Sequence, residues 1–234
     1  MGKQRKKKKL GNYVRLMLPN KIEKCSRTLV TGRSKSGKTT LVVAILKKFF
    51  LDRVNRFFVI CPSFNTQSTF EKIRKYADEE DVYIDRPSDE MFLEIRNKID
   101  EDLAEEPNKM FLLFIDDLSS DSVTNQGRKG AFASLSTEAP HINLSIIGLF
   151  QQAKTCSPAF RNNADNFIIF PPADNFGLKC FREEQTPYVY DKEKAKKFEA
   201  EVSKIWENNN FVFIHRPARI NALSFKNFDT QIKI

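Results

Sequence analysis

The sequence predicts an α/β fold in which a mostly parallel central sheet carries helices on both faces. Three observations lead there. Short apolar runs lack the alternation of a half-exposed strand: Arg56 to Ser63 (RFFVICPS), Met110 to Asp117 (MFLLFIDD), Asn143 to Gln152 (NLSIIGLFQQ) and Asn166 to Pro171 (NFIIFP). Between such runs lie stretches with helical spacing, as in Lys38 to Asp52, where Leu41, Val42, Ile45, Leu46 and Phe49 recur. The composition, 41% hydrophobic and 29% charged over 234 residues, supports a sizeable core and excludes a compositionally disordered chain.

In chain order, Thr28 to Thr31 (TLVT) reads as a short buried strand entering a glycine-rich turn, followed by the helix at Lys38 to Asp52. After the strand at Arg56 to Ser63, Thr66 to Ala77 reads as helix-like, Asp81 to Asp85 as a short strand and Ser88 to Glu106 as an amphipathic, acidic helix. The three further buried strands follow, then a strongly charged helix over Lys192 to Asn208 and a last strand at Asn210 to His215. Most of the 21 Phe fall in apolar strands or on helix faces and read as core. No repeat or internal boundary interrupts this series.

Charge is unevenly placed. Lys3, Arg5, Lys6, Lys7, Lys8 and Lys9 carry six of the nine net positive charges, so residues 1–12 read as a basic disordered tail and 13–234 as one domain. The tail suits a nucleic-acid arm, a nuclear-import address or a solubilising extension. Cys25, Cys61, Cys156 and Cys180 lie far apart and the only histidines are His141 and His215, which gives no zinc signature and fits reduced thiols. No secretory signal or membrane-spanning run is evident, so the expectation is a soluble, intracellular chain that is not secreted and has no membrane partner.

Gly32-Arg33-Ser34-Lys35-Ser36-Gly37-Lys38-Thr39 fits G-x-x-x-x-G-K-[ST], with a strand before it and a helix after. Glycines allow the tight path, successive N–H groups face phosphate oxygens, and the helix end adds positive potential. Gly32 to Thr40 is therefore the expected ATP-binding segment, with Lys38 on the β- and γ-phosphates and Thr39 on Mg²⁺. Asp116 and Asp117 end a buried strand, where carboxylates face the ligand crevice. Asp116 is the candidate for the Mg²⁺ shell and Asp117 for orienting the attacking water. Gln151 and Gln152 end the next strand; a neutral amide there can touch the γ-phosphate or the water.

A phosphate loop, a strand ending in Asp-Asp and a later strand ending in Gln resemble the FtsK/HerA superfamily of P-loop ATPases. Within it, the DNA-packaging ATPases of poxviruses, other large DNA viruses and virophages look most similar. Ile60 to Ser63, His141-Ile142-Asn143 and Arg161-Asn162-Asn163 support this, so the resemblance spans roughly residues 28 to 172. It implies a RecA-like core, a ring of six subunits, and ATP-driven movement of double-stranded DNA into a capsid through a portal-like vertex, at an assembly site in the host cytoplasm or nucleus or within the virion. By motif it assigns the loop residues to phosphate and metal, Asp116 to the metal, Asp117 to the water and Gln151 to the sensor role. Many members of the family carry Arg before the His of the His-x-Asn stretch, where this chain has Pro140. Arg161 is then the first candidate for the arginine acting in a neighbouring subunit; the alternative is a structural Arg paired with Asp165. Arg128 and Lys129, in the loop after the metal strand, are candidates for DNA contact, with a plain surface loop as the alternative. The rival readings are a nucleotide-dependent assembly switch or scaffold, and a P-loop small-molecule kinase.

Overall fold

The computed structural model describes residues 25–85, 87–116, 130–152, 155–172, 175–185, 191–208, 210–216, 223–226 and 230–231. The basic tail, Asp117, Arg128 and Lys129 lie outside the described residues.

The strands are β1 (Arg27–Thr31), β2 (Arg56–Ile60), β3 (Val82–Tyr83), β4 (Phe111–Ile115), β5 (Leu144–Phe150), β6 (Asn166–Ile169), β7 (Val212–His215), β8 (Leu223–Lys226) and β9 (Thr230–Gln231). They form one sheet in the order β3-β2-β4-β5-β1-β6-β7-β8-β9. Pairing is parallel from β3 through to β6 and antiparallel from β6 to β9. Strand β5 lies between β1 and β4, with Thr31 opposite Phe150 and Ile115 opposite Gly148. The chain ends of β1, β5 and β4 therefore stand side by side at one edge.

Helices cover both faces. They are α1 (Lys38–Ile45, continued by a π-helical turn at Leu46–Phe50), α2 (Asp89–Glu105), α3 (Ala131–Glu138), α4 (Pro158–Asn163), α5 (Asn175–Cys180) and α6 (Lys192–Glu207). Neighbouring residues of one strand feed opposite cores. Leu29, Phe58, Ile60 and Leu113 pack with Phe92, Phe132, Phe160 and Phe198 of the helices on one face. Val30, Phe57, Val59 and Leu112 pack with Leu41, Val42 and Ile45 of α1 on the other. Two buried faces explain the unbroken apolar runs. The twelve largest fully buried side chains are all Phe, and rings such as Phe92–Phe132 (5.0 Å) and Phe132–Phe160 (5.4 Å) tie α2, α3 and α4 together.

Two expected helices differ. The helix at Lys38 to Asp52 changes pitch, with Leu51 N–H reaching back to Leu46 O over 3.0 Å, which lets adjacent Phe49 and Phe50 both be buried. Thr66 to Ala77 is not an α-helix but two 3₁₀ turns, Ser68–Phe70 and Arg74–Tyr76. Its buried anchors Phe70 and Ile73 are three apart, the repeat at which 3₁₀ side chains eclipse. Among the described residues, no helix is long and apolar enough to cross a membrane.

Candidate nucleotide site

Strand β1 delivers the chain into the loop Gly32 to Gly37, and α1 begins at Lys38. Gly32 has φ +147°, and a Cβ there would lie 2.4 Å from Cβ of Phe170, so no other residue fits. Gly37 caps α1 with φ +95° and no side-chain cap, which leaves the first N–H groups of the helix aimed at the loop's hollow. The loop is closed by Ser36 N–H donating to Arg33 O, and fastened to the segment after β6 by Arg33 N–H donating to Pro171 O.

Lys38 lies back along the loop, its Nζ donating to Gly32 O at 2.7 Å and Arg33 O at 2.9 Å. Thr39 Oγ1 donates to Asp116 Oδ2 at 3.0 Å, a bond between residues 77 apart in sequence. Asp116 is buried, and its N–H is fixed by Ile60 O of β2. A cavity of about 490 Å³ opens over this pair, lined by residues of the phosphate loop together with Asp116, Gln151, Ser63, Gln67 and Thr69. Gln151 leaves the end of β5, between the loop and Asp116, and is exposed to the cavity. The main-chain carbonyl of Gln152 accepts from Thr155 N–H and Oγ1, and the residue borders a small pocket with Thr31, Gly32 and Gln151.

Two oxygen ligands, a threonine hydroxyl and a carboxylate at hydrogen-bond separation at the edge of this cavity, fit Mg²⁺, which keeps most of its shell as water and substrate oxygens. No cluster of three or more His, Cys, Asp or Glu suited to a metal occurs among the described residues.

Arg161 lies on α4, away from the cavity's lining. Its Nη1 donates to Cys156 O at 2.8 Å, closing the turn that Ser157 caps by accepting from Ala159 N–H. Asp165, the alternative partner, accepts from Arg27 instead: from its N–H at 2.8 Å, Nε at 3.2 Å and Nη2 at 3.2 Å. That clamp joins the starts of β1 and β6. The Cys156 thiol is pushed well up by burial.

Sequence reasoning assigned no role to Ser63, Gln67 and Thr69. The run Ile60 to Ser63 marked their place, but its helix-like continuation hid a loop that wraps over the end of β2 to reach the cavity.

No protein-family model matches the chain, and no curated protein matches it in sequence. Solved structures do. The DNA-packaging ATPase B204 from Sulfolobus turreted icosahedral virus aligns with a TM-score of 0.62 at 17% identity, covering 87% of this chain and 98% of that one. The genome packaging NTPase B204 from Sulfolobus turreted icosahedral virus 2, in complex with AMP, gives 0.59 at 18%, over 82% and 94%. The pCW3 conjugation coupling protein TcpA with ATPγS gives 0.52 at 15%, over 87% and 61%. At such identities these likenesses speak for architecture: the chain shares the fold of these packaging and coupling proteins.

Proposed function

We propose that the chain is an ATP-hydrolysing motor that moves double-stranded DNA and packages a viral genome, working as a ring of six subunits at a capsid vertex in the cytoplasm or nucleus. The observation that carries it is the Thr39–Asp116 hydrogen bond beneath the phosphate loop. It brings the hydroxyl and carboxylate that a nucleotide-bound magnesium requires to the mouth of the hollow that suits phosphate. The neighbouring folds include two genome-packaging NTPases and a conjugation coupling protein, which favours DNA as the cargo.

In this reading the N–H groups of Ser34 to Thr40 bind the phosphates, and Lys38 trades its two carbonyl contacts for β- and γ-phosphate oxygens. Thr39 and Asp116 would hold magnesium, which when bound would neutralise charge on the phosphates. The water oxygen bonds to the γ-phosphorus as the bond to the bridging oxygen breaks; that oxygen keeps the electron pair on ADP, and the water's proton leaves with phosphate or to solvent. The protein mainly positions and stabilises charge. Asp117 orients the water, Gln151 senses the terminal phosphate, Arg161 acts toward a neighbouring subunit, and Arg128 and Lys129 contact DNA phosphates.

Phosphate release from ATP, measured with and without duplex DNA, tests the motor. Several-fold stimulation that fades as salt rises supports it. Hydrolysis indifferent to DNA points instead to a nucleotide-dependent assembly switch, and transfer only to an added acceptor points to a kinase. Particle sizing with duplex DNA and an ATP analogue tests the ring.

A further inference from the structure

The polar stretch after β2 forms a wall of the cavity but has no part in the reading above. We propose that Gln67 holds the attacking water against the terminal phosphate, and that Arg74 is the positioning residue that keeps Gln67 there; this rests on the nucleotide reading of the cavity.

The strand order β2-β4-β5-β1 sets the geometry. Strands about 4.8 Å apart place the end of β2 roughly 14 Å from the end of β1 that feeds the phosphate loop. An in-line water stands on the face of the γ-phosphorus opposite the leaving oxygen, and in this proposal that face is the one turned to the segment after β2. Ser63, Gln67 and Thr69 of that segment line the same cavity as the phosphate loop.

The wall is held firmly. Phe64 and Phe70 are fully buried with ring centroids 5.3 Å apart, anchoring both of its ends. Gln67 N–H donates to Ser63 O at 2.9 Å, which closes a turn. Arg74 then clasps it, Nε donating to Phe64 O at 2.9 Å and Nη2 to Gln67 O at 2.6 Å. A planar guanidinium bound to two main-chain carbonyls fixes the backbone of the segment in a way a single ammonium does not. The Gln67 side chain is exposed, so its carboxamide is available to accept from a water and donate to a phosphate oxygen. It takes no proton during the step; it orients the oxygen that forms the new bond to phosphorus.

Gln67→Ala, Arg74→Ala and Arg74→Lys are compared with wild type and with Lys38→Ala, by phosphate release and by binding of a fluorescent ATP analogue. Gln67→Ala is expected to bind the analogue within threefold of wild type while kcat falls at least tenfold. Arg74→Ala is expected to show the same split, partly restored by Arg74→Lys. If Lys38→Ala abolishes turnover while Gln67→Ala keeps wild-type kcat, the proposal is overturned and the nucleotide reading survives. Wild-type kcat in Arg74→Ala overturns the positioning role. Normal turnover in Lys38→Ala overturns both the reading and the proposal built on it.

Discussion

The two ends of strand β2 use charge in opposite ways. At its start, Arg56 is matched to carboxylates: Nε to Asp81 at 2.6 Å, Nη1 to Asp102 at 3.1 Å and Nη2 to Glu80 at 2.9 Å. Lys98 adds a second cation to the fully buried Asp81, and Lys109 a second to Asp102. Beyond its end, Lys38 and Arg74 instead donate to main-chain carbonyls, and Asp116 accepts from a hydroxyl. Formal charges that neutralise each other locally make a brace for the edge of the sheet. The hydrogen bonds described for Lys38 and Asp116 at the other end go to neutral groups, which phosphate oxygens and a metal can replace.

Lys38→Ala is expected to break this contrast most visibly. Removing one preorganised donor to developing charge costs about 10²–10³ in turnover, and here the donor is a cation. Phosphate release should fall at least that far while urea unfolding stays close to wild type. Turnover that persists would make the lysine a structural tie of the loop rather than a ligand.

Arg56→Ala should do the reverse. It leaves Asp81 buried with Lys98 as its remaining cation, and removing one partner of a buried pair costs about 3 kcal/mol. The urea midpoint is expected to drop, with phosphate release per folded molecule unchanged. A loss of specific activity at unchanged stability would show that the brace also serves the site.

Thr39→Ala sharpens the comparison at the site end. Without the hydroxyl, Asp116 loses its 3.0 Å donor and magnesium one oxygen. Affinity for the magnesium nucleotide is expected to fall about tenfold, near 1.4 kcal/mol, with affinity in EDTA unchanged. Equal losses in both conditions would remove the metal from the hydroxyl's role.

Much of this was legible in the sequence, and for physical reasons. A strand buried on both faces must be apolar throughout, so β2, β4, β5 and β6 announced themselves, and the glycines of the phosphate loop answer to a φ and a clash that local pattern encodes. The helices α3, α4 and α5 did not stand out, because six to eight residues give too few turns for a period to show. Gln67 was hidden for another reason. Its place depends on Arg74 reaching back seven residues to a carbonyl, and main-chain contacts leave no trace in residue type. Likewise Asp165 stood only as the alternative partner of Arg161, four residues before it, whereas its donor is Arg27, 138 residues away across the β1–β6 register.

Acid provides the finest test of the brace, with the smallest expected effect. Burial pushes the Asp102 carboxyl up, but hydrogen bonds from Lys109 and Arg56 outweigh it and hold the group below its usual range. Lys98 likewise holds Glu94 low. A carboxyl whose folded pKa is lowered stabilises the protein above its unfolded value, about 4, and that contribution disappears as pH falls through the folded value. Arg56 and Lys98 are shifted upward, Arg56 by its bonds to Asp81 and Asp102 and Lys98 by Glu94, Tyr83 and Asp81 against the opposing pull of burial. Their contribution is complete at neutral pH and is lost only in strong base. The urea midpoint should therefore be flat around neutrality and decline below about pH 4, and Asp102→Asn should lower the plateau while making that acid decline shallower. An unchanged acid decline in Asp102→Asn would mean that the pH dependence arises elsewhere, and that this end of β2 is held by packing of Phe57 and Phe58 more than by its ions.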